Sequence, residues 1–273
     1  MKMKKIIALL MALAMVFALC ACGGGSEPAP EDTGSEETTD AAFTTVQEGK
    51  LVMGTNASFP PYEFVSDEDS TTIVGIDAEI AGLIADKLGL ELVIEDMEFS
   101  SIVTAVQTGK VDIGMAGMTV TEDRLQNVNF STSYAKGVQS IIVPDGSPIT
   151  CANDLRAEGA TYTIGVQEST TGHIYAEDEF GADRVLAVAN GALAVEALKK
   201  DKVDCVIIDN EPAKAYVAAN EGLSILGSSY ADEDYAIAVS KDNESLLNAV
   251  NAALEELIAD GSVQAVVDKY IGA

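Results

Sequence analysis

From Lys50 to Ile208 short uninterrupted apolar runs alternate with longer stretches whose apolar residues recur at helical spacing, and few folds accept that pattern. Residues 50–55, 90–94, 111–116, 162–166, 185–188 and 203–208 read as strands. Between them lie helices over 77–88, 100–108, 171–177 and 192–200, the second ended by Gly109. The first is the clearest: Ile76, Ile80, Leu83, Ile84 and Leu88 line one face, with Asp77 as its N-cap and Gly89 as its stop. Residues 56–64 read as a loop stiffened by Pro60 and Pro61, and a helix begins near Glu211. A strand over 235–239 and helices over 244–259 and 262–270, separated by Gly261, complete the chain. Strand–helix–strand units this tightly joined imply mainly parallel sheets flanked by helices.

The plan runs twice. Lys110-Val111-Asp112 and Lys202-Val203-Asp204 each follow a helix and a tight turn and open a central strand. Any helix-to-strand junction favours such residues, so the echo alone does not establish a duplication. Either way each half carries its own sheet, and residues 50–273 suffice for two lobes.

The N-terminus carries a different message. Lys2, Lys4 and Lys5 precede sixteen uncharged residues, Ile6 to Ala21, too few for the roughly 20 that span a bilayer and followed by glycines instead of a basic flank. Residues 1–21 therefore read as an export signal. Leu19-Cys20-Ala21-Cys22 resembles a bacterial lipobox with Cys22 as the lipidated residue; ordinary secretory cleavage would leave Cys22 unmodified. Residues 22–48 are rich in Gly, Ser, Thr, Pro and acids and contain no Lys or Arg, so they read as a disordered acidic tether. Loss of residues 1–21 leaves 13 Lys+Arg against 44 Asp+Glu, a formal charge of −31. That balance excludes a nucleic-acid partner, which needs a basic stripe to displace phosphate counterions. Cys205 reads as interior strand and Cys151 as the start of a surface helix, so two unpaired thiols are expected. Neither has a His or Cys neighbour at metal-ligand spacing, and no metal or cofactor is expected.

Against this acidic background one arginine stands out. The strand over 111–116 runs into Ala116-Gly117-Met118-Thr119 and then Arg124. Backbone N–H groups at Gly117 and Thr119, the Thr119 hydroxyl and the guanidinium fork together make a carboxylate receptor. Arg124 paired with a nearby acid on the surface is the competing reading. Phe59 and Phe99 could equally be core aromatics, and Asp209, Thr170 and Thr171 could serve only as helix caps.

Five segments together resemble one family: Gly54-Thr55-Asn56-Ala57-Ser58-Phe59-Pro60-Pro61-Tyr62-Glu63-Phe64; Val74-Gly75-Ile76-Asp77; Ala116-Gly117-Met118-Thr119 with Arg124; Gly165-Val166-Gln167-Glu168-Ser169-Thr170-Thr171-Gly172; and Asp204-Cys205-Val206-Ile207-Ile208-Asp209. The chain is similar over residues 49–273 to the extracellular solute-binding proteins of polar amino-acid ABC transporters, which have the two-lobed type II periplasmic-binding-protein fold. The resemblance implies lobe one over 49–137 and 235–273, lobe two over 143–230, and a two-strand hinge at about 138–142 and 231–234. It implies a monomer, lipid-anchored outside the cell membrane, that delivers a free amino acid to an ABC permease and its ATPase.

By the same resemblance Arg124, Thr119 and the N–H groups of Thr119 and Thr171 would hold the ligand carboxylate. Asp209 and the Gly117 carbonyl would take the ammonium. Phe59 and Phe99 would wall the cleft beside Ala116 and Thr170, and Asn56 and Gln167 would reach the ligand side chain. Two departures bear on this. Ser169 stands where many relatives have Gly, and Asn56 replaces the acid that receives a cationic side chain, which points to a polar uncharged ligand unless Glu168 supplies a charge. The single histidine, His173, reads as an exposed bystander. An enzyme of dehydratase type, or a sensing or adhesive lipoprotein, are the other classes; a catalyst would need a tuned acid or base, and only Asp209 and Glu168 are available.

Overall fold

Along β1 (Lys50–Thr55) Leu51 and Met53 enter one apolar core while Val52, between them, enters another. Successive side chains of a strand point to opposite faces, so this sheet is covered on both. The computed structural model describes residues 43–272 except 228; the export segment, Cys22 and the tether as far as residue 42 lie outside the described residues. After β1 come β2 (Ser58–Phe59), β3 (Glu63–Val65) and β4 (Ile73–Val74), a small antiparallel sheet. Then follow α1 (Ile76–Leu88), β5 (Glu91–Asp96), α2 (Phe99–Gln107), β6 (Ile113–Gly114), α3 (Glu122–Leu125) and β7 (Val128–Phe130).

The ten-residue β8 (Ala135–Pro144) carries the chain into a second sheet. There follow α4 (Ala152–Arg156), β9 (Ile164–Gln167), α5 (Thr171–Phe180), β10 (Val185–Val188), α6 (Gly191–Lys199), β11 (Cys205–Asp209), α7 (Asn210–Ala219) and β12 (Leu223–Ile225). β13 (Ala231–Tyr235) returns antiparallel to β8, pairing Ala231 with Gln139 and Tyr235 with Ala135. β14 (Ala238–Ser240), α8 (Glu244–Ala259) and α9 (Ser262–Ile271) complete the first lobe. Strand order is β5-β1-β6-β14-β7 in the first sheet and β10-β9-β11-β8-β12 in the second. In the second the same alternation recurs: Cys205 and Ile207 pack toward α5, Val206 and Ile208 toward α6 and α7.

The two-lobed α/β architecture agrees with the sequence, but the sheets are mixed where mainly parallel ones were expected. β1 runs parallel to β5 and β6, whereas β14 is antiparallel to β6 and β7. β9 is parallel to β10 and β11, whereas β8 is antiparallel to β11, β12 and β13. Strands that cross between lobes arrive without a crossover helix, and antiparallel pairing needs none. Crossing also divides the expected strand 235–239: Tyr235 ends β13 and Ala238 begins β14. Asp77 is not the N-cap of α1. Gly75 occupies that position, and the Asp77 carboxyl turns inward with no exposure. Cys151, half-buried at the start of α4, and Cys205, buried in β11, are both free, and burial pushes the Cys205 thiol up to about 12. No helix among the described residues is long and apolar enough to cross a membrane.

Candidate functional site

The turn after β6 is built around Gly117, whose φ of +52° is left-handed and whose missing Cβ would sit 2.8 Å from the Phe59 ring. Its N–H donates to Asp77 Oδ2 (2.8 Å), which also accepts from the Tyr134 hydroxyl (2.8 Å). Two residues on, the Thr119 hydroxyl donates to Glu233 Oε2 of β13 (3.0 Å), joined there by the Gln139 amide (3.0 Å). Thr121 caps α3, accepting from the Arg124 N–H, and that single turn aims the guanidinium back at the loop. Nη1 donates to the Thr119 carbonyl (2.7 Å) and Nη2 to the Ser169 carbonyl of the other lobe (2.9 Å), with the group lying over the Phe99 ring at 5.2 Å.

The facing wall comes from the ends of β9 and β11. Thr170 caps α5: its hydroxyl accepts from the His173 N–H and donates to the Gln167 carbonyl. Asp209 caps α7 through Oδ1, accepting from the Glu211 N–H (3.1 Å), while Oδ2 accepts from the Val138 N–H (2.8 Å). Gln167 crosses the gap to Asn56 Oδ1 (3.0 Å), and the Asn56 amide is itself held by the Met97 carbonyl.

All eleven residues expected at the site, Asn56, Phe59, Phe99, Ala116, Gly117, Thr119, Arg124, Gln167, Thr170, Thr171 and Asp209, line one cavity. Arg124 and Asp209, from opposite lobes, share it, 8% and 1% exposed. Burial lowers the Arg124 guanidinium to about 10, still cationic at neutral pH, and raises Asp209 to about 6. Asp77 is likewise raised to about 6 by burial, against the opposing hydrogen bonds of Gly117 and Tyr134. Glu63 also lines the cavity at 1% exposure; burial, then the neighbouring Asp77, push its carboxyl well above the usual carboxylate range. Two sealed carboxyls side by side hold no more than one negative charge comfortably.

Several expectations change in detail. The Gly117 N–H and Thr119 hydroxyl, read as donors to a ligand, already donate to the buried carboxylates of Asp77 and Glu233. Glu168 is exposed and outside the cavity lining, so the acid that could answer a cation is Glu63. His173 is no bystander: Nδ1 accepts the Ser169 N–H (3.1 Å) and Nε2 lies 3.2 Å from Glu177 Oε1. Ser169 itself, at φ +64°, keeps the left-handed turn that a glycine would adopt. The sequence reading missed Glu63, Gln139, Ile207, Ile208 and Tyr235 in the lining. Gln139 carried a usable signal, a polar side chain at an interior position of an apolar strand.

The model of the family described as bacterial extracellular solute-binding proteins, family 3, matches residues 51–273. The chain belongs to that family. This solute-binding protein is 31% identical over 272 residues to the arginine-binding extracellular protein ArtP of Bacillus subtilis (strain 168), covering 98% of each chain. It is 32% identical over 273 residues to the ABC transporter glutamine-binding protein GlnH of the same organism, again 98% of each. A solved structure of an ancestral arginine-binding protein bound to glutamine superposes with a TM-score of 0.77 at 37% identity, covering 83% of this chain and 100% of that one. Members of this family bind solutes and are not enzymes, and this chain is an exported binding protein.

Proposed function

We propose that the protein captures a free L-amino acid in the interlobe cavity and delivers it to an ABC permease with its ATPase. The observation that carries this reading is the pair Arg124 and Asp209, a buried cation and a buried anion presented by opposite lobes to one enclosed space. An α-amino acid head group carries the complementary charges. Arg124 takes the carboxylate together with the backbone N–H groups of Thr119 and Thr171, the latter at the positive end of α5. Asp209 takes the ammonium with the Gly117 carbonyl, and Phe59, Phe99 and Ala116 pack on the aliphatic stem. Each charge-assisted bond contributes about 1.5–3 kcal/mol net. The names of the relatives, which bind arginine, glutamine or histidine, support an amino-acid ligand.

Asn56 and Gln167 offer amide groups to the ligand side chain, which favours a polar uncharged amino acid such as glutamine. Glu63 supports a second reading, a cationic side chain, because it is an acid at the cavity wall without a cationic partner among the described residues. The crossing strands β8 and β13 serve as the hinge, near residues 138–142 and 231–234, between lobe one (49–137 and 235–273) and lobe two (143–230). Export directed by residues 1–21, which are then cleaved, and lipidation at Cys22 would hold a monomeric binding body outside the membrane on the tether 22–48.

The test is calorimetric titration of the refolded, ligand-stripped protein with all twenty L-amino acids. At least one should bind at micromolar affinity or tighter, about −8 kcal/mol. Flat traces throughout would remove the amino-acid reading. Glu63→Gln separates the two specificities: it should weaken arginine at least tenfold if the cationic reading holds, and change glutamine only a few-fold.

A further inference from the structure

Lobe contact rests on more than the cavity walls. Two interlobe hydrogen bonds, Arg124 to the Ser169 carbonyl and Gln167 to Asn56, use side chains that line the cavity. A third does not. The Tyr216 hydroxyl on α7 donates to the Ser58 carbonyl of β2 at 2.7 Å, and Tyr216 is absent from the cavity lining. Burial raises this phenol to about 12, so it remains a donor throughout the neutral range.

The surroundings make the contact a fitted one. Tyr216 packs on the lobe-two cluster of Val206, Ile208 and Ala213, and Phe59 of lobe one packs on the same cluster. The ring rests against Gly191, where a Cβ would lie 3.0 Å from Cε2, so this glycine makes room for it. On the other side the Ser58 hydroxyl donates to Asn56 Oδ1, the atom that receives Gln167. α7 begins at its cap Asp209, and seven residues along a helix are two turns, so one rigid element carries the cavity anion at one end and Tyr216 further along.

We propose that Tyr216 is a closure latch: it never touches the ligand, but by gripping Ser58 it stabilises the closed cleft and sets how long a bound solute stays. This rests on the reading of the cleft as one that closes on its ligand. A latch that forms only after the lobes meet acts on escape and leaves capture alone. Tyr216 is thus a positioning residue, and its signature is kinetic.

The decisive variant is Tyr216→Phe in the full-length protein, which keeps the ring and removes the hydroxyl. Stopped-flow measurement with L-glutamine and L-arginine should show dissociation about fivefold faster, the worth of one neutral hydrogen bond, with association within twofold of the parent. Ligand-free melting should be unchanged. Small-angle scattering of the ligand-free protein provides an arm independent of the ligand, with a larger radius of gyration expected in the variant. An unchanged dissociation rate together with an unchanged radius overturns the latch, as does lower melting with normal kinetics, which would make Tyr216 a core aromatic. Should parent and variant both fail to bind either amino acid, the ligand assignment fails, and the scattering comparison still decides the latch.

Discussion

The two walls of the cleft are built by opposite means. Lobe one holds its binding turn through carboxylates far away in sequence: Asp77 reaches Gly117 across 40 residues and Glu233 reaches Thr119 across 114. Lobe two uses its own helix starts, with Thr170 bonded to His173 three residues on and Asp209 to Glu211 two residues on. The first wall presents a side-chain cation on a tertiary scaffold, and the second an anion and main-chain groups fixed by local capping. A ligand that grips both therefore ties a fold-dependent surface to a sequence-local one.

The largest effect should come from breaking the charge on each wall. Arg124→Ala should weaken binding about a hundredfold, because the guanidinium offers two bonds that no neighbour replaces. Asp209→Asn should weaken it tenfold or more; asparagine keeps the N-cap through its one oxygen but sets an NH2 against the Val138 N–H, so melting of the empty protein should fall as well. Asp209→Ala loses the cap as well as the charge and should cost about 1 kcal/mol of stability in addition. Calorimetry and thermal melts of the three variants read both quantities. Normal affinity in Arg124→Ala and Asp209→Asn would move the site elsewhere.

That asymmetry also explains what could be read before the fold was known. The caps, the stop at Gly89 and the break at Gly261 obey short-range rules, so α1, α8 and α9 emerged within a residue or two of their limits. The paired Asp112 and Asp204 mark the same junction in both lobes: each accepts a backbone N–H at the neighbouring strand, from Val52 within β1 (2.8 Å) and from Thr163 just ahead of β9 (2.6 Å). That the expected residues line one cavity was legible through family likeness combined with one scarce arginine in an acidic chain. What lay hidden was long-range. Asp77 looks like an N-cap from its neighbours, and only the approach of Gly117, Tyr134 and Glu63 makes it an interior anchor. The crossing of β13 and its pairing with β8 likewise depend on tertiary geometry that no local pattern encodes.

A change of pH sharpens the comparison on the charged side. Asp209 and Asp77 each bind a proton more tightly folded, at about 6, than unfolded, near the ordinary value of 3.8. Between those values the folded state holds more protons than the unfolded one, so these groups make the empty protein less stable as pH rises from about 4 to about 6. Ligand binding runs the other way. An ammonium needs Asp209 ionised, so affinity should be flat above about pH 6 and fall about tenfold for each unit below it. Titrations from pH 4.5 to 7.5 with paired melts give both slopes. In Asp209→Asn the fall in affinity should shrink to whatever Asp77 contributes through the lobe-one turn, and an unaltered profile would take Asp209 out of the contact.

The smallest effect tests whether lobe two works through its main chain. Ser169 sits at φ +64°, a conformation that strains a residue with a Cβ, yet the contact it makes to Arg124 uses its carbonyl oxygen. Glycine relieves that strain and keeps the carbonyl, at the cost of a more flexible unfolded chain. Ser169→Gly should therefore bind with affinity within about twofold of the parent and melt at the same temperature or slightly higher. The His173 acceptor would continue to hold the loop through the N–H at position 169. A tenfold change in affinity would mean that the Ser169 side chain itself meets the ligand, and the contrast between a side-chain wall and a main-chain wall would no longer describe the cleft.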